Sequence, residues 1–272
     1  MAIENFISTV WSENLIKKLH NKYIGVLNCN REYEGDIKNK GSKVKICGVG
    51  DVIVSDYTKD TDMNSPATLD DFACYLEIDQ AKYFNFQIDD VDRAQCNPKI
   101  IDEAMRNAAN ALADQADKYI YSLYKDSDYT ETYNIGQGGS VIDAIINVKT
   151  SLIRMGVSTE DIVVEVSPEV AAAITREKID IGTDNSSALE AGLLGNVVGC
   201  KVYVSNNIHI DTEGNHKCFV RSKRAIAFAE QISEVEAYRP EKRFADAVKG
   251  LHLYGAKVVC PDEFVVLDIK FA

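Results

Sequence analysis

Between Leu76 and Asp90 the sequence reads LEIDQAKYFNFQIDD, and this stretch constrains the fold more than any other. Leu76, Ile78, Phe84, Phe86 and Ile88 are apolar, whereas Glu77, Asp79, Asn85 and Gln87 are polar. A period of two with one apolar side is the signature of a strand that buries a single face. Gln80 and Lys82 interrupt the apolar side, so the strand is expected to leave its core partway. The pattern stops at the acidic corner Asp89, Asp90 and Asp92, and a helical pattern follows at once. Asn97 is the expected N-cap and Pro98 the first helical residue. Apolar residues then recur at Ile101, Ala104, Met105, Ala108, Leu112, Ala116, Tyr119, Ile120 and Leu123, a single stripe at helical spacing. A helix from Pro98 to Lys125 would be about 42 Å long at about 1.5 Å per residue. Its alanines would let another element approach closely.

The elements before this junction read as an arm. Ser12 is a plausible cap for a helix carrying Leu15, Ile16, Leu19 and Ile24. KVKIC places Val44 and Ile46 on one face, Gly48 and Gly50 are expected to break that strand, and DVIVSDY resumes it. Thr58 to Asp71 is a polar loop, after which FACYLEI returns to strand. An isolated two-stranded arm is only marginally stable in water, so it needs a neighbour to lie on. After the long helix, NIGQGGS (Asn134 to Ser140) is a loop and a candidate domain boundary, followed by alternating helix and strand. Ser140 caps a helix with Ile142, Ile145, Ile146, Leu152 and Ile153, and Gly156 ends it. DIVVEV is a buried strand, Ser167 and Pro168 start the next helix, SSALEAGLLG suggests a short helix, and CKVYVS a strand. The remainder is β-rich: KCFVR, AIAFAEQ, SEVEAYRP, DAVKGLHLYGAKVV and EFVVLDI.

With 272 residues, 46% hydrophobic and 26% charged, the chain can bury a sizeable core. Its net charge of -12 argues against a surface that grips nucleic-acid phosphates. Residues 1–25 contain Glu4 and Glu13 and lack the basic-then-apolar layout of a secretory signal, and no apolar run approaches a membrane span. The seven cysteines are odd in number and form no CxxC pair; they read as free thiols of a reducing cytosol.

A search for reaction chemistry returns solvated surface and turns. Gly48-Val49-Gly50 precedes strand and lacks the third glycine of a dinucleotide loop, and Gly195 to Lys201 lacks phosphate-loop spacing. His20, His209, His216 and His252 form no HExxH; His209 and His216 flank a loop containing Asp211, where a weak metal site competes with solvated loop histidines. Asp60, Asp62, Asn64 and Asp71 approximate a calcium loop but place Ser65 where glycine is needed and Asp71 where glutamate is needed. The Asp89, Asp90 and Asp92 corner could hold an acid/base pair, but acidic residues also suit a helix N-terminus. No catalytic, cofactor-binding or metal residue is therefore assigned, and no cofactor is expected.

The order of these elements resembles that of the major capsid (coat) proteins of tailed bacteriophages, the Hong Kong ninety-seven fold. LEIDQAKYFNFQIDDVDRAQCNP resembles the end of that family's extended loop running into its spine helix, and ALADQADKYIY the helix itself. DIVVEVSPEVAAAI and GLLGNVVGCKVYVSNNI resemble segments of the axial domain. RAIAFAEQISEVEAYRPEKRFADAVKGLHLYGAKVVCPDEFVVL resembles the return through the peripheral domain. The likeness spans nearly the whole chain in order, and it rests on the sum of these phrases.

The resemblance implies an α+β phage major capsid fold with an N-arm (1–40), an extended β-loop (41–88), a peripheral domain around a long spine helix (89–135 and 232–272) and an α/β axial domain (136–231). Thr183 to Leu194 would point towards a capsomer centre. It implies a non-enzymatic subunit that self-assembles into hexamers and pentamers of an icosahedral shell enclosing double-stranded DNA without reading its sequence. Scaffolding, portal and decoration proteins are the implied partners, with assembly in the host cytoplasm, a place in the virion capsid and no membrane. The chain starts directly at the arm, which implies a separate scaffold or a removed segment. Some relatives crosslink through lysine; Lys40, Lys43, Lys59 and Lys82 lie in or near the extended loop, and no motif assigns them that role. A nanocompartment shell of the same fold and an α/β small-molecule enzyme are the alternatives.

Overall fold

The structure is a computed structural model that describes residues 15, 23–33, 41, 43–49, 59, 71–89, 100–135, 139–177, 193–241 and 245–271. Among the described residues, eleven strands fall into three sheets. β1 (Lys43–Val49) and β2 (Asp71–Glu77) form an antiparallel pair. β3 (Gln80–Asp89), β10 (Ala245–Val258) and β9 (Ile226–Tyr238) form a three-stranded antiparallel sheet in the order β3-β10-β9. The six-stranded sheet runs β4-β11-β8-β5-β7-β6, from β4 (Tyr129–Asn134), β11 (Phe264–Lys270), β8 (Asn215–Ser222), β5 (Ile162–Val166), β7 (Cys200–Val204) and β6 (Leu193–Val197). Its β4–β11 and β5–β7 pairs are parallel. The helices are α1 (Ile100–Ser122), α2 (Val141–Arg154) and α3 (Pro168–Arg176).

Strand alternation divides the six-stranded sheet between two cores. Ile162, Val164 and Val166 of β5, Cys218 and Val220 of β8, and Val265, Leu267 and Ile269 of β11 face α2 and α3, meeting Val141, Ala144, Ile145, Val148 and Leu152 of α2. Phe219, Phe264 and Val266 point the other way, into a core built on α1. The stripe of α1 lies there as its spacing predicts: Met105, Leu112, Ala116 and Ile120 are buried beside Phe228, Val248 and Tyr254 of the three-stranded sheet. α1 is thus sandwiched between two sheets.

Local signals act as expected in α2 and α3. Ser140 Oγ accepts from the Ile142 and Asp143 amides, and Gly156 takes φ 90 just beyond the end of α2. Ser167 Oγ accepts from the Val170 amide with Pro168 at the first turn. Other expectations need correction. Gly48 does not break β1, which runs on to Val49 with Gly48 opposite Phe72. α1 ends at Ser122 rather than Lys125, because Leu123–Asp126 tighten into a 3-10 turn. AIAFAEQ and SEVEAY are one strand, with an irregularity opposite Leu251 and His252. Leu193, Leu194 and Gly195, read as the end of a helix, belong to β6. β4 was not foreseen; its exposed, polar composition hides an edge strand that joins β11 in parallel. The expected Ser12 helix apart from buried Leu15, the Asn97–Pro98 helix start, DVIVSDY, and residues 183–192 lie outside the described residues. So do Asp60, Asp62, Asn64, Asp90 and Asp92.

The single period-two stretch from Leu76 to Ile88 is two strands of two sheets. Leu76 and Ile78 are buried with Val44 and Ile46 against Ala227 and Ala229 of β9 and Leu253 of β10. The chain then turns at Ile78 and Asp79, and β3 joins the edge of β10, where Phe84 and Phe86 pack on the α1 core. The change of core falls at Gln80, where the apolar side of the pattern lapses. The root of the β1–β2 arm therefore lies over one half of the outer face of β9 and β10.

Candidate functional site

The other half of that outer face is uncovered by any described residue. Tyr83 of β3 sits opposite Leu251 of β10, and the two are 78% and 38% exposed. Beside them Lys249 pairs with Glu236 at 2.7 Å and lies over the Tyr238 ring, while Tyr238 OH donates to Asn85 at 3.2 Å. Tyr83 stands between two shallow depressions. One, about 270 Å³, follows the side of α1 along Ala108, Ala111, Leu112 and Gln115; the other, about 360 Å³, lies over Asn85, Glu236, Lys249 and Gly250. Gly250 is needed here, since a methyl group at this position would overlap the Phe84 ring. Apolar projections flanked by charged pairs and open grooves have the anatomy of a protein interface, with an apolar centre and a polar rim.

Beneath this face a polar network fastens residues 23–31, a strap that crosses from α1 to both larger sheets. Arg221 of β8 is fully buried. It donates to both oxygens of buried Glu165 on β5 at 3.1 and 3.2 Å, to the Asn28 carbonyl at 2.6 Å and to the Gly25 carbonyl at 3.0 Å. Asn28 Nδ2 donates back to Glu165 at 2.9 Å. Burial pushes the Glu165 carboxyl up, and the Arg221 charge opposes it; with the guanidinium donating to both oxygens, the pair is ionised. From α1, Asp117 accepts the Ile24 and Val26 amides at 3.0 and 3.1 Å. Its burial outweighs these bonds and raises its pKa to about 7. At the far end Glu230 of β9 accepts from Arg31 at 2.6 Å and from Tyr23 OH, and lies 2.9 Å from Nε2 of buried His252. Asn30 bridges to β9 through the Ile226 carbonyl and the Phe228 amide.

These groups hold backbone, and each carboxylate is already engaged by donors, so the network fits anchoring better than turnover. Sequence reasoning passed over it, though a lone Glu in DIVVEV and a lone Arg in KCFVR are the signal of a buried pair. Tyr83 was also missed; an aromatic on the otherwise polar side of the β3 pattern marks it.

The candidates raised earlier are scattered. His209 stacks on Tyr124 with centroids 4.8 Å apart, whereas His216 is buried edge-on to Phe271. Asp211 accepts from the Glu213 and Asn215 amides and from Lys217, closing a turn; the Asn215 bonds hold its carboxyl well below the usual range. Asp71 begins β2. Gly195 to Lys201 spans the end of the β6–β7 hairpin, whose turn is Val198 at φ 53 and Gly199 at φ 75. Lys43 pairs with Glu77 across the arm. Among the described residues no group of three or more His, Cys, Asp or Glu is placed to hold a metal, and no helix is long and apolar enough to cross a membrane.

Comparison with known proteins identifies the class. The profile of the family described as Phage capsid protein matches residues 75–267. A chain of Mycobacterium phage Che8 is 30% identical, with 90% of each chain covered and a TM-score of 0.66. A chain from the capsid structure of the Cyanophage P-SCSP1u is 15% identical, covering 90% of this chain and 86% of that one, with a TM-score of 0.65. A virus-like particle from Pyrococcus furiosus is 10% identical over 96% and 99%, with a TM-score of 0.57. No curated protein matches the chain. The fold is the α+β Hong Kong ninety-seven fold of tailed-phage capsids. This chain belongs to the phage capsid protein family, as a structural shell protein.

Proposed function

We propose that the chain is the major capsid subunit of a tailed bacteriophage, assembling with copies of itself into hexamers and pentamers of a closed shell around double-stranded DNA. The observation that carries this reading is the Tyr83–Leu251 face: the most exposed aromatic of the described residues projects between two grooves on a rigid sheet. Contact with a neighbouring copy supplies the burial this face lacks, and a shell shares such burial over many weak, symmetric contacts. The acidic balance of the chain limits non-specific adhesion to packaged DNA. Scaffolding, portal and decoration proteins are the further partners, assembly takes place in the host cytoplasm, and the N-arm (1–40), extended β-loop (41–88), peripheral domain (89–135 and 232–272) and axial domain (136–231) complete this reading. Strand pairing argues for an adjustment of these bounds: β4 and β11 join the axial six-stranded sheet, and β3 and the whole of β9 join β10 in the peripheral part around α1.

The test is negative-stain microscopy with size exclusion of the purified chain and of Tyr83→Lys. Shells, tubes or rings of five or six are expected for the parent, and a folded monomer for Tyr83→Lys. A parent chain that stays monomeric at high concentration and under crowding would sink the proposal. Small shells filled with protein would instead indicate a nanocompartment.

A further inference from the structure

The arm root crosses the end of β10 in a defined alignment. The Glu77 carbonyl presses so closely on Gly255 that a methyl group there would overlap it, and Lys257 Nζ reaches the Tyr75 carbonyl at 3.3 Å. Two residues forward on β10 correspond to two residues back on β2, an antiparallel crossing. Continued by one more step, it sets Cys74 opposite Val258, the last residue of β10, two residues before Cys260. Packing agrees: Cys74 of β2 and Val259 both lie against the small core formed by Val44, Ile46, Leu76, Ile78 and Leu253. Cys260 is held from behind, since its amide and that of Val259 both donate to the Ala225 carbonyl.

These two thiols also differ from the others described. All five of these thiols are free; Cys29, Cys200 and Cys218 are buried, whereas Cys74 and Cys260 are only partly buried. Burial pushes the Cys260 thiol up, Glu263 adds to this, and the charge of Cys74 is felt there too, as expected of near neighbours.

We infer that Cys74 and Cys260 are a disulfide-forming pair, a modification site that staples the root of the β1–β2 arm to the body of the protein. The oxidant is a small-molecule disulfide such as oxidised glutathione. One protein thiolate attacks it, forming a mixed disulfide and releasing one glutathione; the second thiolate attacks the protein sulfur of that bond and releases the other. Two protein thiols are oxidised to one disulfide, one glutathione disulfide is reduced to two thiols, and the two protons leave on the glutathiones. In a reducing cell the pair stays open and the arm can adjust while neighbours dock; in an oxidising medium it closes.

The experiment is incubation of the full, freshly reduced chain with oxidised glutathione, followed by intact mass and peptide mapping. The expected result is a mass lower by two hydrogen atoms, a linked peptide pair containing Cys74 and Cys260, and slower amide exchange in β1 and β2, all reversed by dithiothreitol. Cys74→Ser and Cys260→Ser should each lose the link and keep a glutathione adduct. Persistent glutathione adducts on both thiols of the parent, or links from either one to another cysteine or another chain, would overturn the inference. Mapping of the parent chain decides even if a variant fails to fold.

Discussion

Arg221 and Glu165 show what a single buried pair can hold. Each lies fully buried in a strand, Glu165 between Val164 and Val166 and Arg221 after Val220, and together with Asn28 they tie the strap to the six-stranded sheet. Arg221→Leu should destabilise the chain by about 3–5 kcal/mol, since it leaves Glu165 charged, buried and unmatched. Adding Glu165→Leu should restore much of that loss, because a pair of apolar residues carries no desolvation cost; urea titrations of the single and double variants would measure both. Asp117 gives a pH signature. Its pKa is about 7 in the folded protein and near 3.8 when the chain is unfolded, so folding favours its protonated form. That contribution is complete below the unfolded value and is lost as pH rises through about 7. Asp117→Asn should flatten this part of the stability profile, read as denaturation midpoint against pH.

At the scale of elements, the arm root is a thin contact. Leu76 of β2 is fully buried in a core of few side chains. Leu76→Ala should cost about 2–5 kcal/mol locally, seen as faster amide exchange in β1 and β2 with α2 and β5 unchanged. The sequence made such elements legible wherever one side of a strand or helix is buried, as in α1, α2, β5 and the arm. It failed where burial does not shape composition. β4 is an exposed edge whose Tyr and Thr residues mark β-propensity without an apolar face. The division of the Leu76–Ile88 pattern into two strands was half visible, since Gln80 and Lys82 mark the change, but which sheet each half joins depends on β9 and β10, far along the chain. For the same reason the sequence marks Glu165 and Arg221 as buried charges without showing what they hold: the strap's partners lie 137 to 207 residues apart in Asn28–Glu165, Arg221–Asn28 and Tyr23–Glu230.

For the whole molecule, charge opposes the association proposed for the Tyr83 face. Copies carrying a net charge of -12 repel one another, and salt screens that repulsion over about 10 Å at 0.1 M. The concentration at which shells form should therefore fall as ionic strength rises, which light scattering across a salt series would show. If the threshold instead climbed with salt, attraction between opposite charges would be driving assembly.

The strap also sets an order in time. Residues 23–31 leave the ribosome early, yet the groups that seat them, Glu165, Arg221 and Glu230, are made much later. Until Arg221 and the strand after it emerge, the strap has no floor to rest on. A chain interrupted before that point carries an unfastened N-terminal segment and an exposed half-core, features a protease or chaperone can recognise. Seating of the strap thus reports that translation has passed residue 230.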